Sequence, residues 1–343
     1  MRIQLQEVCV KASSNIAQKD LENHIGEYPI YGASGFIKTV DFYKHEKPYV
    51  AVVKDGAGVG RTMLLPEKSS VIGTMQALIP NEKIAPELLK YVVQNMHLEN
   101  SYTGATIPHI YFKDYCKKEF DLPDKKQQVQ IITILSTIEE IIENYHKELK
   151  LLDLLIKSRF VEMFGDPIRN TKSLKTKELK DVMILKAGDF TAASDISAIP
   201  SGDNIYPCYG GNGIRGYVAQ FNQEGDYSLI GRQGALSGNV QYAKGKFRNT
   251  EHALLVTPIC EMNSVWLNQL LIILDLKRYQ TGAAQPGLSV KNLQEIPIII
   301  VSLDEQEKYA SFIERVDKSK AVIQKSLDEA QLLFDSLMQE YFG

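Results

Sequence analysis

The chain has few of the residues that staple a protein together or anchor it in lipid. Only four cysteines occur, Cys9, Cys116, Cys208 and Cys260, and no two form a C-x-x-C pair. That excludes a zinc knuckle and a disulfide framework, so the four read as small buried hydrophobes. There is no run of about 18 uncharged apolar residues, and Met1-Arg2-Ile3-Gln4 lacks the apolar core of a signal peptide. The expected location is the cytoplasm. A basic excess is missing too: the formal net charge is -3, which excludes a histone-like protein held by bulk charge but leaves room for local basic loops.

Catalytic signatures are also absent. The sequence holds no G-x-x-x-x-G-K-[ST] loop, no H-E-x-x-H and no G-x-S-x-G. Nor is there an N-P-P-Y-like tetrapeptide or a nuclease-type carboxylate cluster, and the six histidines are scattered. The chain reads as non-catalytic, with no metal site and no cofactor of its own.

What is present is a duplication. Ile131, Leu135, Ile138, Ile142, Tyr145, Leu149, Leu152 and Ile156 alternate spacings of four and three, the seam of a coiled coil. Tyr309, Ile313, Val316, Lys320, Ile323, Leu327, Ala330, Phe334, Leu337 and Tyr341 repeat that pattern 178 residues later. Pro123-Asp124 marks the first helix start and Gly165-Asp166-Pro167 its end. A helix of that length spans roughly 60 Å.

The preceding segments repeat as well. Tyr28-Pro29-Ile30-Tyr31-Gly32-Ala33-Ser34-Gly35 recurs as Tyr206-Pro207-Cys208-Tyr209-Gly210-Gly211-Asn212-Gly213. Lys54-Asp55-Gly56-Ala57 recurs as Arg232-Gln233-Gly234-Ala235, and Thr103-Gly104-Ala105-Thr106 as Thr281-Gly282-Ala283-Ala284. Leu5-Gln6-Glu7-Val8 has a looser echo in Leu179-Lys180-Asp181-Val182. Short β-rich runs such as Tyr49 to Val53, with an amphipathic stretch near Pro86 to His97, indicate mixed globules. The expected class is α+β. Two repeated α/β-mixed globular domains, 1–123 and 166–302, are separated by helical spacers, 124–165 and 303–343, that form an antiparallel coiled coil with pseudo-two-fold symmetry.

Taken together, the Y-P-x-Y-G turn, the Gly-rich turn after a strand, the T-G-A-x-x-P segment, the glutamine entering each helix, with a proline before it in the first, and the closing Phe-Gly resemble the specificity subunit of type I restriction-modification systems. The resemblance covers essentially the whole chain. In the first copy Lys126-Gln127 stands where the second has Glu305-Gln306, and Ile107-Pro108-His109 where the second has Gln285-Pro286-Gly287. The resemblance implies two target-recognition domains, each reading one half of a split double-stranded DNA site, with the helices setting the gap. It also implies two methyltransferase subunits docked on the helices, and in complexes that cut DNA a restriction subunit with nuclease and translocase activity. S-adenosylmethionine, ATP and magnesium would then belong to those partner subunits.

Candidate DNA contacts follow from side-chain chemistry. Lys54, Arg61 and Arg232 suit phosphate or guanine, and Gln233 sits beside Arg232 in the Gly-rich turn; a purely structural turn is the alternative. Tyr31 and Tyr209, with Ser34 and Asn212 beside them, either touch the partner or pack inward, and the same holds for Thr106, His109 and Gln285. Asn239, Lys244, Lys246 and Arg248 belong to a polar loop that either reads bases or forms a solvated hairpin. Gly56 to Gly60 is no dinucleotide loop, because Arg61 to Pro66 does not open a helix. Within the seam, Lys320 either specifies register or partner or lets its ammonium reach water. Arg159 at the place of Leu337 has the same two readings. The rival in another class is a coiled-coil adaptor that joins partners without reading bases.

Overall fold

The computed structural model describes residues 1–104, 108–234, 236–282 and 287–343, so Thr106 and Gln285 lie outside the described residues. The chain divides into two compact units: Met1–His146 with Lys325–Gly343, and Lys147–Gln324.

In the first unit, Tyr49–Val53 is apolar and β-branched, and it forms a strand buried at every position, as a strand covered on both faces must be. It lies inside a four-stranded antiparallel sheet ordered Cys9–Ser13, Met75–Pro80, Tyr49–Val53, Thr62–Leu65. Helix Pro86–Asn95 buries Leu88, Leu89 and Val92 in the same core as Val50, Val52 and Leu78. A second sheet joins Tyr28–Gly32 to Gly35–Val40 antiparallel and to Ser70–Val71 parallel.

The second unit repeats this plan, with Gln223–Glu224 added as a fourth strand of its second sheet. Its first sheet runs Met183–Ala187, Ala253–Pro258, Tyr227–Gly231, Val240–Ala243, and its short helix is Ser264–Ile273. Even the bulge between Ile30 and Tyr31 recurs between Cys208 and Tyr209. The looser echo at the start has a plain cause. The edge strands are offset by 174 (183 − 9) and the next ones by 178 (206 − 28), so the second unit carries four extra residues between them. Cys9, Cys116 and Cys208 are buried, but Cys260 is exposed, because it follows the strand that ends at Pro258.

The two long helices, Lys125–Phe164 and Leu303–Phe342, have 40 residues each. Each opens with a reciprocal cap. Asp124 Oδ1 accepts from Gln127 N at 2.8 Å while Gln127 Oε1 accepts from Asp124 N at 3.0 Å. Ser302 and Glu305 do the same in the second helix. This corrects the sequence alignment of the helix entries by one residue. Gln127 is the partner of Glu305, and the equivalent of Gln306 is Gln128.

Those two glutamines are buried, at 2% and 4% exposure. Gln128 Oε1 accepts from Ala85 N, and Gln306 Oε1 from Asn263 N, at 3.1 and 2.9 Å. Ala85 and Asn263 are the residues that cap the short helices. Each glutamine therefore ties a long helix to the short helix of its own globule.

The seam residues are divided between the two cores. Ile131, Leu135 and Ile138 share the first with Phe334 and Met338, while Ile156, Phe160 and Phe164 share the second with Tyr309, Ile313 and Val316. Rising positions on one helix meet falling positions on the other, so the pairing is antiparallel. Between these ends Ile142, Tyr145, Leu149, Leu152 and Ile323 are half-buried, and Leu327 is buried.

The heptad does not run to the end. Leu337 and its equivalent Arg159 are only half-buried, while Met338 and Phe160 take the buried places. The spacing becomes four and four, through Ile156, Phe160 and Phe164 and through Phe334, Met338 and Phe342. A straight helix of 3.6 residues per turn drifts off a seven-residue repeat once it packs on a globule instead of a single partner helix.

Candidate nucleic-acid interface

In each unit the duplicated motifs come together as three chain segments. In the first, the exposed Arg61 reaches out of the Gly-rich turn, and its Nη1 donates to the Ala33 carbonyl of the Tyr-Gly turn at 3.1 Å. In the second, the amide of Asn239, which replaces Arg61, donates to Asn212 Oδ1 at 3.0 Å. The third segment is strapped on by backbone: Ile110 N to Lys54 O at 3.0 Å, and Leu288 N to Arg232 O at 2.8 Å.

Glycine is required at one place in each Gly-rich turn. Gly60 has φ +87°, and a Cβ there would sit 2.5 Å from the backbone N of Glu99. Gly238 has φ +85° and meets Lys277 N at 2.7 Å. A second backbone segment passes too close for any side chain.

The polar side chains at this junction differ between the units. In the first, Asp55 pairs through Oδ1 with His109 Nδ1, and its Oδ2 lies 4.0 Å from Lys54 Nζ. In the second, Arg232 Nη1 donates to the Glu251 carbonyl at 3.1 Å. His252 sits between Gln233 Oε1 at 3.0 Å and Glu251 Oε1 at 3.1 Å. Arg232 Nε and Glu251 Oε2 are buried with no partner among the described residues.

The two tyrosines are half-buried. Tyr31 meets Phe36 edge-on at 6.0 Å and Tyr209 meets Phe247 at 5.5 Å, each packed on the core of its own unit. Burial pushes both phenols up. Ser34 and Asn212 are exposed at the turn tips.

The second unit's polar stretch is not a hairpin, because Val240–Ala243 and Lys246–Asn249 pair into different sheets, and its basic residues find other partners. Lys244 lies over Tyr242, and Lys246 over Phe221 with Glu224 at 3.9 Å. Arg248 donates to Thr191 Oγ1 at 3.2 Å and the Phe190 carbonyl at 3.3 Å. No hydrogen bond or ion pair described for these three reaches the turn cluster.

Asp55, Glu251 and His252 were not picked out from sequence. Asp55 lies inside a quoted motif, but a carboxylate gives no phosphate or guanine signal; its value appears only with His109 beside it. His252 stands at the equivalent of Thr74, so the repeat itself hides it. Among the described residues no three metal-ligating side chains converge, and no helix is long and apolar enough to cross a membrane.

The family model for the type I restriction modification DNA specificity domain matches residues 1–153 and again 171–332. The chain belongs to that family. It is similar in sequence to type I specificity subunits. One, the EcoprrI specificity subunit of Escherichia coli, is 42% identical over 143 residues, which is 42% of this chain and 36% of that relative. A putative type I specificity subunit of Mycoplasma pneumoniae is 26% identical over 65% of this chain and 82% of its own length. The crystal structure of the type I restriction-modification S subunit from M. genitalium shares the fold, with a TM-score of 0.68 over 100% of this chain and 96% of that one at 19% identity. A chain from a structural study of type I R-M complex assembly gives a TM-score of 0.57 at 15% identity, over 99% of this chain and 97% of that one.

Proposed function

We propose that this chain is the sequence-reading subunit of a type I restriction-modification complex, each globular unit binding one half of a split site in duplex DNA. The observation that carries this is the pair of three-segment clusters, with one backbone frame and different polar side chains, in a chain that matches the DNA specificity domain twice. A shared frame with unlike polar groups suits two related readers of two different sequences. Lysines and arginines would set position through phosphates, and a few polar groups per unit would choose bases. Lys54, Arg61, Ser34, Asn212, Arg232, Gln233 and Asn239 are the proposed contacts at the clusters, Lys244, Lys246 and Arg248 are proposed contacts outside them, and Thr106 and Gln285 are proposed from the sequence alone. Tyr31 and Tyr209 would support these contacts from below.

The paired helices would fix the gap and carry two methyltransferase subunits, with a restriction subunit added in complexes that cut. The chain itself would be non-catalytic, leaving S-adenosylmethionine, ATP and magnesium to those partners. Inserting one heptad after Tyr145 and one after Ile323 adds about 10 Å of helix, or about three base pairs of gap. Methylation mapping in cells expressing the variant with its methyltransferase should show a longer gap between unchanged half-sites. An unchanged gap would defeat the spacing role, and unselective DNA binding would favour an adaptor instead.

A further inference from the structure

We propose that His109 reads one base of the half-site served by the first unit, and that Asp55 is its positioning residue. The proposal rests on the DNA-reading function above and names a determinant within it. The backbone around His109 is held on two sides. Gly56 N donates to Pro108 O at 2.9 Å, Ile110 N to Lys54 O at 3.0 Å, and Thr103 and His109 exchange hydrogen bonds at 2.8 and 2.9 Å. The ring is fixed as well, tilted by 57° against Tyr111 at 4.0 Å between centroids and paired with Asp55 through Nδ1.

An ionised carboxylate only accepts, so Nδ1 carries the shared proton and Nε2 is the edge left for a ligand. The imidazole is 25% exposed and borders a cleft of about 330 Å³ that Lys11, Lys54, Lys113 and Gln76 also line. Three ammonium groups there suit backbone phosphates, which position without selecting. The imidazole edge can discriminate: Nε2 accepts from the exocyclic amino group of adenine or cytosine when the ring is neutral and donates to guanine when it is charged.

The fold does not need this histidine. Its equivalent is Gly287, and the same frame closes there, with Thr281 and Gly287 exchanging bonds at 2.9 Å. A histidine nevertheless reappears beside the equivalent of Asp55, since His252 meets Gln233 from a different chain position. A ring that the scaffold can spare, yet that recurs by another route, is better explained by what it contacts outside the protein.

The test is selection from a random duplex library by the full chain assembled with its methyltransferase subunits, comparing wild type, His109→Gly, His109→Gln and Asp55→Asn. His109→Gly should lower the base preference at one position of one half-site by about tenfold and leave the other half-site intact. His109→Gln should alter the preferred base at that position, and Asp55→Asn should weaken the same position only. An unchanged profile in both His109 variants, or a uniform loss across the half-site in both, overturns the proposal. Wild type selecting no split site is a different result, which overturns the DNA-reading function and this determinant with it.

Discussion

Lys320 leaves the helix seam to meet Asp153, Nζ to Oδ1, at 2.6 Å. The stem stays half-buried while the pair sits at the surface, with side-chain exposures of 30% and 65%. Both readings of a charge in a seam are thus partly realised: the ammonium escapes the core, and it escapes toward a specific partner on the opposite helix. A pair this exposed is worth well under about 1 kcal/mol, whereas a branched apolar side chain would bury more of the seam. Lys320→Ile should therefore stabilise the second unit by about 1 kcal/mol. Thermal unfolding checks this, and a lower midpoint would mean the ion pair outweighs the lost burial.

The buried glutamines separate a lock from a cap. Gln128→Ala strands the Ala85 amide and the carbonyls of Lys83 and Pro123, at a cost of about 1–3 kcal/mol. Gln127→Ala removes only an exposed cap bond, at a cost of about 0.5–1 kcal/mol. Urea denaturation of the two variants should rank them in that order, and the reverse order would restore the one-residue-shifted alignment.

Glycines in one turn should not respond alike. Gly56→Ala meets only the strain of φ +81°, with nothing within 4 Å of the new Cβ, while Gly60→Ala also collides with the Leu98-Glu99 backbone. The first should cost about 1 kcal/mol and the second about 3 kcal/mol or more. Equal losses in denaturant midpoint would show that the segment carrying Glu99 can move away.

Alkaline pH should loosen the first unit. Burial pushes the Tyr49 phenol up to about 12 and the Cys9 thiol up to about 12. Both pKa values are raised on folding, so their stabilisation is complete below the unfolded values near 9 to 10 and is lost as pH rises toward 12. The thermal midpoint should fall between pH 9 and 11, and Tyr49→Phe should make that fall shallower. An unaltered slope in the variant would place the titrating groups elsewhere.

The doubling, the two helices and the frame of the turns were legible because each rests on a local period or a local backbone demand. The seam was legible only where helix meets helix. At Phe160 and Met338 the partner is a globule, and the repeat slips by one residue for reasons the spacing cannot carry. Gln128 was missed because a polar residue next to a capping glutamine gives no hint that it will be buried.

By itself, the order of residues determined that one α+β plan is used twice, with a long amphipathic helix closing each copy, since glycine turns and seam hydrophobes act through neighbours a few positions away. Only the tertiary structure decided which side chains share a site. His109 and Asp55 are 54 residues apart in the chain, and His252 occupies a position where the repeat predicts threonine. A contact of that kind depends on where two strands and a loop converge, and the pattern along any one of them does not contain it.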